Sequence, residues 1–414
     1  MAEFKAAVEI SRKWDGNDVA EDIINKFNIV GINPKFILLF TTIHYEKEFK
    51  IILNKIKGSF PNSPLIGGTV AGFITHEGCF TRGVAASTIE YENMNVKTLV
   101  GNGTKKDPKK SVEEFIDDIG ESIYQNDLII DVISGSVIPE LPKMGKTNVS
   151  FSKSKSKLLS GLLPIAGKFG TGVGKEEEII ELISLNNPNS YIFGLSSMDD
   201  GKMIKNFEFI NENILTNSIV GLKINTDLDI NISFTHGLNI TEKKFLITDI
   251  SKDNRVIKSL DGKPAVDRFM EVMGWSKELI GDLDRFYRTT FFYPFGFYKN
   301  NILCPCNIGG FLGNVIPLGY SIEGNELTVL SATGKSLIEA ARKISEDALP
   351  SKEFNIFANC GATLEALGDK VFEIQKILAE KFDTFLLLYG SGENLYKPNE
   401  TAFHLNESIV MLQI

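Results

Sequence analysis

Cysteine and histidine are scarce in this chain, at 4 each in 414 residues, and tryptophan is scarcer still at 2. Cys79, Cys304, Cys306 and Cys360 are too few for a disulfide scaffold, which makes a reducing compartment the default and the cytoplasm the expected location. His44, His76, His236 and His404 form no H-E-x-x-H, and no C-x-x-C accompanies them, so neither a metal site nor a cofactor is expected. No apolar run approaches the roughly 18 residues that span a bilayer. The start, MAEFKAAVEISRKW, carries charges throughout and lacks the apolar segment of a secretory signal. Positive charge is not in excess either. The net charge is -9 and no basic stripe carries interleaved aromatics, which argues against nucleic acid and anionic membrane as partners. The densest basic stretch, Lys153 to Lys157, is short and serine-rich and reads as a solvated loop. G-x-S-x-G, S-x-x-K and paired-carboxylate motifs are also missing.

What is present is an ordinary apolar fraction of 43%, enough for sizeable cores, in a length that predicts two or three domains. Strands and helices alternate. Ala6 to Ile10 reads as a strand, Asn17 to Phe27 as a helix, and Phe36 to Phe40 as a strand covered on both faces. A helix over Tyr45 to Ile56 and a glycine-ended strand, Pro64 to Gly68, follow. Gly83 to Tyr91 and Val96 to Val100 read as a hairpin. The unit recurs: Leu128 to Ile133, then Tyr191 to Ser197, with return strands over Ser218 to Ile224 and Leu228 to Phe234. A long insertion, about 137–174, interrupts this second copy. A third copy runs through Phe354 to Ala358, a helix over Val371 to Phe382, a glycine-ended strand at Phe385 to Gly390 and a return strand from His404. Before it lies a different region, about Asp261 to Pro350, with aromatics crowded over Phe286 to Tyr298. The expected fold is mixed α/β: repeated strand–helix–strand–strand units forming layered mixed sheets flanked by helices, in two domains.

A strand running into glycines brings bare backbone N–H groups close to whatever sits beside it. Gly67-Gly68-Thr69 is one such place. Ser196 to Asp200 follow Gly194 in the second copy, and Ser391 to Asn394 follow Gly390 in the third. Phe169-Gly170-Thr171-Gly172-Val173-Gly174-Lys175 resembles a phosphate loop, but Phe169 stands where a glycine is required and Glu176 replaces the Ser/Thr. It reads as a flexible glycine loop. Cys304-Pro305-Cys306 has no metal partners and reads as buried or turn cysteine. Cys360, after a strand and before Gly361, would need a histidine to act as a nucleophile. His404 is the candidate, with Glu373 as orienting carboxylate.

Several segments together resemble the FIST family, with an N-terminal FIST domain followed by a C-terminal one. They are Pro64 to Gly72 with Gly83-Val84-Ala85; Gly194-Leu195-Ser196-Ser197-Met198-Asp199; the junction His236-Gly237, Phe245 to Thr248, and Asn254-Arg255-Val256-Ile257 through Asp261 to Ala265; and Cys360-Gly361, Glu373, Tyr389, Gly392-Glu393 and Asn406-Glu407-Ser408. Two positions depart from the family pattern: Ala362 and Thr363 follow Cys360-Gly361 where a basic residue is usual, and His404 lies one place early, with Leu405 before Asn406. The resemblance implies an N-type domain over 1–255, a C-type domain over 256–414, and sensing of a small ligand such as an amino acid, relayed to a signalling protein in trans. Gly67, Gly68, Thr69, Ser196, Asp199, Cys360, Glu393 and Asn406 are the expected ligand contacts. Two alternatives stay open: a thiol-dependent hydrolase or transferase using Cys360 and His404, and a ligand-free adaptor scaffold.

Overall fold

The structure is a computed structural model that describes residues 3–414 except 118, 139, 142–144, 147 and 351. The repeat organises it. In each of three units a strand, a helix and two parallel core strands are followed by a hairpin and a return strand. The core strands are Ile37–Thr41 with Leu65–Thr69, Asn126–Ser134 with Ser190–Ser197, and Asn355–Cys360 with Leu386–Gly390. The return strands, Val84–Glu90, Ser218–Thr226 and Ser408–Gln413, run antiparallel beside the first core strand of their own unit. The opening strands, Lys5–Ser11, Met94–Asn102 and Asn231–His236, pair with the return strands.

The hairpins do something different: each leaves its own unit. Gly72–Thr75 of the first unit pairs with Leu386–Gly390 of the third. Glu208–Ile210 of the second pairs with Leu65–Thr69 of the first. Glu393–Tyr396 of the third pairs with Ser190–Ser197 of the second. Three sheets of six strands result, closed into a ring by exchange. Strands from either side of residue 255 share two of these sheets.

Core strands buried on both faces read as continuous apolar runs, and alternation sorts their side chains. Ile37 and Leu39 pack under Val19, Ile23, Phe27 and Ile52 of the helices Gly16–Val30 and Phe49–Ser59. Leu38 and Phe40 face the shared interior with Ile130, Val132, Ile356 and Ala358 from the other units. Burying a side chain of this size contributes about 1.5–3 kcal/mol. Helix ends are set locally: Asp15 accepts from Asn17 N at 2.8 Å, and Gly31 at φ 67° closes the same helix.

Three local readings are corrected. Val84–Glu90 and Met94–Asn102 are not a hairpin; they lie in different sheets, because the chain crosses from one unit to the next between them. Asn231–His236 does not close the second unit but opens the third, against Ser408–Gln413. Lys153 to Lys157 are not a loop but begin a helix, Lys153–Ala166; Leu159 and Ser156 on it are buried, and that packing outweighs the polar composition.

The different region starts earlier than expected, at Leu238, and interrupts the third unit after its opening strand. Leu238–Ile250, Val256–Leu260, Glu326–Ala332, Phe295–Lys299 and Ile302–Cys306 form a fourth sheet, packed with Phe269, Phe286 and Phe311. The insertion in the second unit meets it: Val149–Ser150 pairs parallel with Phe311–Leu312. Arg255 fixes the junction, donating from Nη1 to Gly174 O at 2.7 Å and pairing through Nη2 with Glu177.

Gly67 sits where the first two core strands of unit one lie closest. A Cβ there would stand 1.7 Å from the carbonyl oxygen of Leu39, and that oxygen is held in the parallel ladder. Gly67→Ala should destabilise the protein by about 1–3 kcal/mol or more through this overpacking. Exposed Gly58, where an added methyl would meet nothing within 4 Å, is the control: Gly58→Ala should be neutral or mildly stabilising. Urea midpoints check both, and equal midpoints for Gly67→Ala and the parent would contradict the packing role.

Candidate functional site

Where the second and third units meet, two backbone bonds join their glycine-ended strands. Ser196 N donates to Gly392 O at 2.9 Å, and Ser391 N donates to Ser196 O at 2.8 Å. Gly390 permits the approach, since a Cβ there would be 2.7 Å from Ser196 O. Beside this clamp lies a cavity of ≈ 70 Å³, room for about five to seven waters or a guest of that size. Ser136, Glu176 and Met198 come to its wall from the second unit, Cys360, His404 and Asn406 from the third. Tyr287, Phe291 and Asn307 of the inserted region close it.

The wall is rich in acceptors. Glu176 is 3% exposed, yet its Oε2 has no hydrogen-bond partner, and neither does Oδ1 of Asn307. Burial pushes the Glu176 carboxyl up to about 7 against the pull of the Lys105 ammonium, with Glu177 pushing the same way as burial and Arg255 opposing it. The glycine loop gives Glu176 its place: its carboxylate lies about 2.1–2.2 Å from where a Cβ on Gly174 would be. His404 is held by a chain of bonds. Asn394 Nδ2 donates to Asp131 Oδ1 at 2.7 Å, so Asn394 Oδ1 is the end that meets His404 Nδ1 at 2.7 Å. His404 Nδ1 therefore carries the proton. Burial lowers His404 to about 4, so the ring is neutral and Nε2 keeps its lone pair.

A second polar cluster sits behind this wall without lining the cavity. Lys105 Nζ donates to Ser134 Oγ at 2.8 Å, and Ser134 Oγ donates to Asn206 Oδ1 at 2.7 Å. Glu208 accepts from Ser197 Oγ at 2.6 Å and from Ser218 N at 3.3 Å. Glu393 repeats that last arrangement in the third unit, accepting from Ser408 N at 3.3 Å and Ser408 Oγ at 2.8 Å. In both units a residue at positive φ precedes the serine, Asn217 at 52° and Glu407 at 55°. These carboxylates brace the return strands.

The expected contacts divide accordingly. Cys360 and Asn406 line the cavity. Asn406 Nδ2 donates to Ser391 O at 3.3 Å, and its Oδ1 accepts from Asn307 N at 3.4 Å. Ser196 supplies the clamp through its backbone, while its buried Oγ has no partner. Asp199 does not line the cavity; it accepts from Met203 N at 2.7 Å and Ile204 N at 2.8 Å, closing the loop that carries Met203 to the wall. Glu393 lies behind the wall. Gly67, Gly68 and Thr69 stand away from it, their glycines filled by Leu39 and Phe207 backbone. Thr69 O accepts from Met198 N at 2.9 Å, so this strand positions a wall residue from outside.

Glu176, Asn307, Tyr287 and Phe291 were not legible as contacts. For Glu176 a signal existed: an acidic residue directly after a glycine loop that fails as a phosphate binder. Cys360 is poorly suited to nucleophilic work. Burial raises its thiol well above the ordinary value, and the Glu407 and Glu393 carboxyls raise it further. His404 directs its proton to Asn394, and no hydrogen bond joins the two residues among those described.

With the geometry in place, comparison with known proteins fixes the class. The FIST N domain model matches residues 35–263, and the chain belongs to the FIST family, whose domains are small-ligand sensory modules of signalling proteins. No curated protein matches the chain. Among solved structures, the cyanuric acid hydrolase from A. caulinodans is similar with a TM-score of 0.33 at 6% identity, over 100% of this chain and 99% of that one. A second cyanuric acid hydrolase structure gives a TM-score of 0.23 at 8% identity, over 80% of this chain and 100% of its own. Likeness at this level carries no argument about chemistry.

Asp131 anchors the His404 chain and gives a pH test. Burial raises its carboxyl to about 8, only partly offset by the Asn394 hydrogen bond. A raised acid favours the folded state while protonated, so this contribution is full below about pH 4 and is lost as pH rises towards 8. Asp131→Asn keeps an acceptor for Asn394 and removes the titration. Its stability relative to the parent should therefore increase steadily between pH 5 and 8.5 in urea melts; a pH-independent difference would contradict the buried neutral carboxyl.

Proposed function

We propose that the chain is a sensory module whose guest, a small polar molecule no larger than the smallest amino acids, occupies the cavity between the second and third units, and that occupancy is relayed to a signalling protein in trans. The observation that carries this reading is a small cavity walled by polar side chains from separate parts of the fold, Ser136 and Glu176 of the second unit, His404 and Asn406 of the third and Asn307 of the inserted region. Relay has a structural route in this reading. The wall combines residues of two units and of the inserted region, so a guest that touches both shifts the inserted region against the ring. We also propose that residues 1–255 and 256–414 correspond to N-type and C-type FIST domains.

The thiol-enzyme alternative is favoured only by Cys360 and His404 sharing the cavity, and the raised thiol opposes it.

Thermal-shift screening of metabolites tests the proposal against a blocked variant, Ser136→Leu, which fills the cavity from its half-buried rim. A guest at a hundredfold excess over Kd stabilises the parent by about 2.7 kcal/mol, and the variant should lose that shift while melting normally alone. A flat response from a broad library, or shifts that survive Ser136→Leu, would overturn the assignment.

A further inference from the structure

His404 brings to the cavity an acceptor that a guest can reach. The residue is 6% exposed and lines the space. Nδ1 meets Asn394 Oδ1, and Asp131 fixes that amide's orientation, so Nδ1 holds the proton and Nε2 the lone pair. Nε2 has no hydrogen-bond partner among the described residues. Glu176 Oε2 and Asn307 Oδ1 share that lack but are sealed from water. His404 Nε2 is not sealed in this way, and the open surface of so buried a ring belongs to the cavity it lines. The ring is also held in place. Gly392 leaves room for its edge, since a Cβ there would stand 2.3 Å from Cε1 and 2.7 Å from Nε2. Tyr320 packs against it edge to face, with ring centroids 5.7 Å apart.

The rest of the wall offers little to a charged guest. Among the described residues, no lysine or arginine lines the cavity. Glu365 pairs with Arg288, and the unpartnered oxygen of Glu176 is sealed. Asn406 Nδ2 already donates to Ser391 O and Leu405 O. A full charge of either sign would enter without a free counter-ion, and burying an unpaired charge is costly.

We infer that the guest is a small uncharged molecule that donates an N–H or O–H to His404 Nε2, of the class that includes primary carboxamides and alcohols. This rests on the small-guest reading above and narrows it: a zwitterionic amino acid would leave its carboxylate without a partner, whereas a neutral donor answers the one open lone pair. His404 is a binding residue in this account, and Asn394 and Asp131 are positioning residues that keep its proton on the far nitrogen.

The test is ¹⁵N NMR of the full chain labelled at histidine, at pH 7, titrated with three probes of nearly one shape. Acetamide has a donor, acetone has none, and acetate has none and is charged. With 4 histidines in the chain, His404→Phe assigns the resonances. The free protein should show His404 with Nε2 unprotonated. Acetamide should bind saturably and shift that Nε2 resonance, while acetone and acetate bind roughly tenfold or more weaker, as loss of a buried hydrogen bond requires. His404→Phe should weaken acetamide to the level of acetone. The three-probe series on the parent chain stands on its own should that variant fold poorly. A protonated Nε2 in the free protein, acetone or acetate binding as tightly as acetamide, or acetamide saturating without moving Nε2 overturns the donor inference and leaves the small-guest reading intact. No binding by any of the three also overturns it. The small-guest reading falls with it only if the metabolite screen is flat as well.

Discussion

Two backbone hydrogen bonds, from Ser196 N to Gly392 O and from Ser391 N to Ser196 O, hold the second and third units together at the cavity, and the rest of the site is arranged around them. They exist because each unit gives its hairpin to a neighbour. The third unit's Glu393–Tyr396 lies on the second unit's Ser190–Ser197, so the loop after Gly390 must run across the end of a foreign strand. The same exchange carried round the ring makes the three sheets mutually dependent. No unit completes its own sheet, and the apolar interior formed by Phe40, Val132 and Ala358 is common property.

Desolvation sets the chemistry at the ring's centre. Asp131, Glu208 and Glu407 are all raised into the range of about 7 to 8 by burial, and Glu393 is raised further in the same direction. Most of these groups answer burial with serine, asparagine or lysine partners, and in doing so they brace strands. Glu176 differs in lining the cavity, with the Lys105 ammonium behind it opposing the effect of burial. A buried carboxyl beside an open space is the feature that separates a site from a scaffold here.

The sequence made the core strands plain. Runs such as Phe36 to Phe40 are apolar at every position because helices cover one face and the common interior the other, and the three-fold recurrence followed from those runs. Partner choice was not legible, because hairpin exchange is written in backbone bonds that leave no side-chain pattern. That is why Val84–Glu90 and Met94–Asn102 read as a hairpin. Gly67 and Gly68 read as ligand contacts for a related reason: a glycine that admits a neighbouring carbonyl and one that admits a guest look alike in a chain. Cys360 and Asn406 were found because they end or follow core strands on the side where the units meet. Asn307 and Tyr287 lie in the inserted region that a repeat-based reading sets aside, and only the fold brings them to the cavity that Glu176 lines.

One claim carries the rest: the space bounded by Glu176, Asn307, Cys360 and His404 holds the guest. A crystal structure of protein purified from cells without denaturation or extensive dialysis tests it most directly. The predicted result is non-water density in that space, in contact with residues of the second unit, the third unit and the inserted region. A space holding only solvent, in a protein whose retained ligand lies elsewhere in the map, would contradict it.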